Sequence, residues 1–255
     1  MRKTVITEEK ETELKNPILI EGLPGLGMVG RIAVKYLIKQ LRAKKFAELY
    51  SPHFAYYVLV NKNGIITLLK NEFYYWKNDS GDNDLILLTG DCQAQTVEGQ
   101  YDVANTILEY VKKKNVKAII TIGGYRKDVI SAPQVFASAT DPDILKRAIE
   151  AGSLSSPPGN PIIGAAGLLI GLAKIKGISG LCLLSETPGY MPDPKAAKSA
   201  LIIISRMLNL NLDLTGLDKE IEKIVKIEEE LRRAEEQRAI EEVIRRERGK
   251  VSYIG

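Results

Sequence analysis

Ile18-Leu19-Ile20-Glu21-Gly22-Leu23-Pro24-Gly25-Leu26-Gly27-Met28-Val29-Gly30 is the stretch on which the fold turns. Its apolar start, directly after Pro17, reads as a strand. The strand runs into a loop of glycine and proline, the residues that permit tight turns. Beyond the loop, Val29, Ile32, Ala33, Tyr36, Leu37 and Leu41 recur at helical spacing through 28–41. Strand, tight turn and helix open an α/β domain.

Outward from this unit, 46–50, 55–60, 65–69 and 73–76 read as strands. Asn63-Gly64 between the second and third is a hairpin signal. Strands and helices then alternate. Strands are expected at 84–89, 117–122, 135–139 and 178–185, and helices at 97–113, 141–151, 163–174 and 193–208. Asp141-Pro142 and Asp193-Pro194 each supply a cap and a first helical residue. Continuous apolar strands alternating with helices imply a mostly parallel, mixed sheet covered by helices on both faces. Residues 55–76 are expected at a mixed edge.

The domain is expected over 17–208, after a charged N-terminal segment at 1–16. A linker at 209–216 leads to a long, highly charged C-terminal helix at 217–249 and a tail at 250–255. In that helix Leu217, Ile221, Ile224, Ile227, Leu231 and Ala234 fall three or four apart and form an apolar stripe. The stripe lies either on its own domain or on another chain. The second reading makes Ile221, Ile224 and Leu231 protein-binding residues.

Composition narrows the function classes. The 255 residues carry a net charge of +4 with both signs interspersed, so no nucleic acid is expected as partner. No apolar run is long enough to span a bilayer, and 1–16 lacks the apolar centre of a signal peptide. A cytoplasmic protein with no membrane partner is therefore expected. Two cysteines, Cys92 and Cys182, sit in apolar stretches and read as reduced core thiols. With them and a single histidine, His53, no metal site is expected. The richness in Lys, Glu and Ile fits a protein from a hot environment.

Gly25-Leu26-Gly27-Met28-Val29-Gly30 matches G-x-G-x-x-G between a strand and a helix. One reading puts a pyrophosphate at the helix N-terminus, with Glu48 as the ribose-binding acid. Against it, Glu48 lies within a strand, and strands follow where a dinucleotide fold continues with helix and strand. The other readings are close helix–sheet packing around the glycines and a partner-binding loop.

No catalytic constellation emerges. Asp79, Asp82 and Asp84 near Gly81 form a polar turn without the glutamate that closes a calcium loop. Ser185 lacks the flanking glycines of a nucleophile elbow. His53 has no placeable partner. Arg126-Lys127-Asp128, with loops 22–30 and 186–190, marks the strand ends where α/β folds bind ligands. Phe73-Tyr74-Tyr75-Trp76, near Tyr56-Tyr57, reads as cross-strand packing or as a subunit interface.

Several blocks belong together: Glu21 to Gly30 with Ala33 and Tyr36-Leu37, Thr89-Gly90-Asp91 with Tyr101, and Ile119 to Gly124. Glu186-Thr187-Pro188-Gly189-Tyr190, then Asp193-Pro194 and Ala196-Ala197, complete the set. Together they resemble the proteasome assembly chaperone family of the second type, a likeness that covers about 17–208. It places Gly22, Pro24, Gly25, Gly27, Gly30, Glu186, Thr187 and Pro188 in the family's motif loops. The resemblance implies a fold like that of nucleoside phosphorylases without their catalysis, and no cofactor. It implies an ATP-independent, chaperone-like homo-oligomer acting on proteasome α-subunits or another protein client. Some members carry a C-terminal helix ending in a hydrophobic–tyrosine–any-residue tail that enters pockets between α-subunits. This sequence ends Val251-Ser252-Tyr253-Ile254-Gly255, with tyrosine third from the end. Val251, Tyr253, Ile254 and Gly255 thus form either a variant anchor or a frayed end. The alternative function is a nucleotide- or nucleoside-binding enzyme of phosphorylase-like fold using the Gly25–Gly30 loop.

Overall fold

Strands whose residues are apolar on both sides can be satisfied only between two layers of helix. Ile18–Glu21 is such a strand, buried at all four positions, and it lies at the centre of a nine-stranded sheet. The computed structural model describes residues 1–79, 81, 83–128 and 132–227. The strands are β1 (Val5–Glu8), β2 (Ile18–Glu21), β3 (Lys44–Tyr50), β4 (Val58–Val60), β5 (Ile66–Leu68) and β6 (Asn71–Trp76). They continue as β7 (Leu85–Gly90), β8 (Ala118–Arg126), β9 (Val135–Ala139), β10 (Leu154–Ser155) and β11 (Ser179–Thr187). The α-helices are α1 (Val29–Gln40), α2 (Val97–Lys113), α3 (Pro142–Glu150), α4 (Ala165–Ile175) and α5 (Pro194–Leu208).

The sheet order is β1-β3-β6-β7-β2-β8-β11-β9-β10, and β4 and β5 form a separate two-stranded hairpin. Strands β7, β2, β8 and β11 run parallel through the centre. Antiparallel pairs β1–β3, β3–β6 and β6–β7 flank one side, and β11–β9 the other. The expectation of a mostly parallel sheet is therefore corrected to a mixed one with a parallel centre. Apolar continuity reports burial on both faces, and it does not report strand direction.

Alternate residues face opposite layers. Leu19, Ile86, Leu88, Ile119 and Cys182 join one buried cluster with Val103, Ile107 and Val111 of α2 and Leu169 and Ala173 of α4. Ile20, Leu87, Ile120 and Leu181, also buried, face the other way. There α1 packs on α5, and α3 lies beside α5. Thr96, Asp141 and Asp193 cap α2, α3 and α5 by accepting from Gly99, Ile144 and Ala196 N–H groups.

Two strands escape the sequence pattern. β1 lies in the charged N-terminal segment and pairs with β3. β10 is two residues long at the opposite edge. The aromatic strand β6 is internal, paired with both β3 and β7. Phe73 meets Tyr110 edge-on at 5.1 Å and Phe46 at 6.4 Å, so this cluster is core packing under α2.

A second unit begins at Leu214, and its residues 215–227 are helical. Ile221 and Ile224 fall within that helix. Leu231, the remainder of the expected 217–249 helix, and Val251, Tyr253, Ile254 and Gly255 lie outside the described residues, as does Asp82.

Candidate functional site

Parallel strands bring all their carboxyl ends to one edge, and there the motif loops meet. The loop after β2 carries Gly22 to Met28, ending in a single 3-10 turn at Leu26–Met28. The loop after β11 carries Pro188 to Asp193. Gly27 N–H donates to Gly189 O at 3.3 Å, and Asp193 N–H donates to Gly27 O at 2.8 Å. Met28 N–H donates to Gly25 O at 2.9 Å and Leu23 N–H to the Glu21 carboxyl at 3.0 Å. The structure thus joins the two predicted motif loops through their backbones.

The glycines divide by role. Gly25 is exposed, and a Cβ there would meet only Gln93 Nε2 at 3.6 Å. Gly27 has φ +60°, and its Cβ would lie 2.6 Å from Thr187 Oγ1. Gly22 and Gly30 face each other: a Cβ on Gly22 would sit 2.1 Å from Gly30 O, and one on Gly30 2.2 Å from Ile122 O. Backbone therefore packs on backbone where α1 crosses β2 and β8. Gly27→Val is expected to cost roughly 2–4 kcal/mol, from a β-branched residue at positive φ plus overpacking. Urea unfolding measures it; a midpoint equal to wild type would contradict the packing of Gly27 on Thr187.

The ribose-acid reading of Glu48 does not fit the topology. Between β3, which carries Glu48, and β2 lie β6 and β7. Glu48 is also engaged by Lys45 Nζ and Lys70 Nζ at 2.5 Å each, and by Tyr50 Oη at 2.7 Å. Burial pushes its carboxyl up, but these three donors outweigh it and hold the pKa down to about 2. Glu186 is likewise occupied. It pairs with Lys127 Nζ and accepts from Gln134 N–H at 3.0 Å, and despite burial its pKa is lowered by these partners. Thr187 is buried and accepts from Gly189 N–H at 3.2 Å, while Pro188 is half-buried. His53 packs against Gly99 at the start of α2, its Nε2 3.7 Å from Asp102.

Two residues absent from the sequence-based site set organise this edge. Gln93 donates to Pro24 O at 2.7 Å and accepts from Ala165 N–H at 2.9 Å, tying the glycine loop to the start of α4. Glu21 is buried below the loop, and its second carboxyl oxygen has no hydrogen-bond partner among the described residues. Burial pushes its pKa up to about 8, only partly offset by the Leu23 N–H. A cavity of about 80 Å³ lies beside it, lined also by Gly30, Gln93, Gly123 and Ala166. The signal for Glu21 was an acid ending an all-apolar strand. Cys182 is buried with its thiol pushed up to about 12 by burial, and Cys92 is half-buried and raised to about 11 by the same cause. Both are free thiols, and of the two only Cys182 is fully buried. No group of three His, Cys, Asp or Glu side chains among the described residues can hold a metal ion. No helix among them is long and apolar enough to cross a membrane.

Taken together, the parallel centre, antiparallel flanks and backbone-packed loops define a three-layer α/β protein in which Gly22, Gly27 and Gly30 serve packing. The chain belongs to the PAC2 family, which matches residues 19–232 and bears out the resemblance read from the motif blocks. It is similar to the crystal structure of Pyrococcus furiosus PbaB, an archaeal proteasome activator. That likeness has TM-score 0.87 and 40% identity, covering 91% of this chain and 100% of that one. Pyrococcus furiosus PbaA, an archaeal homolog of proteasome-assembly chaperone, superposes with TM-score 0.74 at 29% identity, covering 98% of this chain and 99% of PbaA. The Methanocaldococcus jannaschii protein MJ1210 is 35% identical over 92% of this chain and 93% of its own length.

Proposed function

We propose that this protein is a cytoplasmic, ATP-independent, non-catalytic scaffold of the proteasome-assembly-chaperone kind. It self-associates and holds proteasome subunits, or another protein client, through the unit that begins at Leu214. The likeness to PbaB over that whole chain carries the reading. The glycine loop adds to it: its N–H groups at Leu23, Gly27 and Met28 already donate within the protein, where a nucleotide phosphate needs free donors. Ile221, Ile224 and Leu231 then form the contact stripe, and Val251 to Gly255 a variant anchor presented several times over. The fold likeness to nucleoside phosphorylases is part of the same proposal, as a scaffold without the catalysis.

Deletion of 217–255 is expected to leave the α/β domain folded and to abolish capture of α-subunits in a pull-down, or to change the oligomer mass. An unchanged mass by light scattering together with unchanged capture would remove the C-terminal unit from the function. A thermal-shift screen with nucleotides, nucleosides and phosphate is expected to show no rise; a clear rise would favour the enzyme reading instead.

One observation favours a second reading within the same class. Identity is 40% to the activator PbaB and 29% to the chaperone homolog PbaA. An activator raises peptide hydrolysis by a finished proteasome, whereas an assembly chaperone changes the yield of assembly intermediates. Measuring both with one preparation separates them.

A further inference from the structure

The hairpin β4–β5 stands apart from the nine-stranded sheet and has no covering layer among the described residues. From Tyr56 to Ile66 every residue is exposed. Alternate residues of a strand point to opposite faces, so exposure of Val58, Leu59 and Val60 in succession leaves both faces bare. The turn itself is well built: Asn61 Oδ1 accepts from Asn63 N–H at 2.9 Å and Ile65 N–H at 3.0 Å, and Gly64 takes φ +77°. A lone two-stranded hairpin is marginal in water, and outside the turn every residue of this one but Thr67 is apolar or aromatic. Lys62, at the turn, is the single charged residue of 56–68. The eight large apolar side chains of the hairpin, from Tyr56 to Leu68, are each at least 40% exposed, together on the order of the 800 Å² that one partner contributes to a standard protein interface. That exceeds the patches left bare on ordinary monomers.

A receptor of matching character lies on the same chain. An apolar groove of about 670 Å³ runs between the start of α2 and α4. Val97, Tyr101, Ile163 and Ile175 stand exposed along it, and none of its lining residues is charged. Gly171 is an exposed part of its lining, where a Cβ would meet nothing within 4 Å. The groove adjoins the hairpin's base, since Gln95 N–H donates to His53 O at 3.1 Å. A projecting apolar arm and an uncharged apolar groove of similar extent, side by side, have the composition of interface cores.

We infer that the hairpin 56–68 of one copy docks in the α2–α4 groove of a second copy. The inference deepens the self-association in the proposed function and rests on it. The test uses the full chain by size-exclusion chromatography with light scattering. Val60→Lys with Ile66→Glu replaces a directly opposed cross-strand pair, each residue 65% exposed, by an ion pair that preserves the hairpin. Gly171→Glu places a charge in the groove and improves the helix propensity of α4. Each variant is expected to weaken association roughly thirtyfold or more, as loss of a hot spot does. Mixed one to one, the variants are expected to regain a heavier species, because the first keeps its groove and the second its arm.

A monomeric wild type would overturn both this inference and the self-association reading. An oligomeric wild type with unchanged variants would overturn this inference alone. A Gly171→Glu variant that keeps the wild-type mass while the hairpin variant dissociates would show arm meeting arm and overturn the arm-in-groove pairing; two dissociated variants that stay apart on mixing would overturn that pairing as well. If circular dichroism shows the hairpin variant unfolded, Gly171→Glu carries the test: unchanged mass overturns the inference, and dissociation with the fold intact supports it.

Discussion

Gly30→Ala is expected to lose at least ~3 kcal/mol of stability, while Gly25→Ala, five residues earlier, stays within about 1 kcal/mol of wild type. Gly30 is helical, and alanine is the better helix former, so propensity alone predicts the opposite sign. Space decides it. The new methyl carbon would sit 2.2 Å from Ile122 O, 3.2 Å from Ile122 C and 3.0 Å from Gly22 Cα. These are backbone atoms, held by β2 and β8 pairing across the centre of the sheet, and no rotamer change relieves them. The helix must move off the sheet, taking Ala33 and Leu37 from their buried places. For a domain whose whole stability is of order 5–15 kcal/mol, the loss is a large share. Gly22→Ala strikes the same gap from the other side, 2.1 Å from Gly30 O. The double variant is therefore expected to cost less than the sum of the singles, since one displacement of α1 serves both. Urea denaturation followed by circular dichroism checks all four proteins. A Gly30→Ala midpoint at the wild-type value would mean that α1 does not pack backbone on backbone here.

This contrast also explains what the sequence could and could not tell. Strand, loop and helix at 18–41 were legible because apolar periodicity and turn residues are local signals. α2 was predicted at 97–113, and α5 was predicted with its Asp193 cap and its end at 208, for the same reason. The three glycines of G-x-G-x-x-G look alike in sequence. Only the sheet order, which depends on distant strands, shows that Gly25 faces solvent while Gly30 faces Ile122 O. Glu48 shows the same limit: counting residues allows it a place near the loop, its position within a strand argues against that, and the sheet order settles it by setting two strands between. β1 was missed because Val5 and Ile6 are followed by Thr7, Glu8 and Glu9, so its strand character rests on pairing with β3. Gln93 carries no pattern at all. Its role comes from reaching Pro24 and Ala165 across loops far apart in sequence.

Glu21 leads to the second large effect, and its sign is unusual for a carboxyl. Stability is expected to fall as pH rises from about 5 to 8. The pKa lies near 8 in the folded protein against an ordinary 4.5, because burial disfavours the charged form. Below 4.5 both the folded and unfolded chains carry the proton, and the group's contribution is fully present. Between 4.5 and 8 the unfolded chain ionises freely while the folded one holds its proton, so stability declines by about 1.4 kcal/mol per pH unit. The whole window is worth roughly 5 kcal/mol if no other group intervenes. Glu48 acts in the opposite sense: held down to about 2, it contributes above 4.5 and is lost as pH falls towards 2. The two carboxyls together place the expected stability maximum in mildly acidic solution. Glu21→Gln keeps the acceptor for Leu23 N–H and removes the titration. Its melting temperature is expected to stay level from pH 5 to 8, crossing above that of the wild type near the upper end. Because the carboxyl lies under the loop that Gly22 and Gly30 clamp to α1, its ionisation brings water into that joint first. Hydrogen exchange at residues 23–30 is therefore expected to quicken with pH in the wild type beyond the intrinsic base-catalysed rise, and not in Glu21→Gln. Identical excess in both proteins, or a wild-type melting temperature independent of pH, would show that the carboxyl is not held neutral by its surroundings.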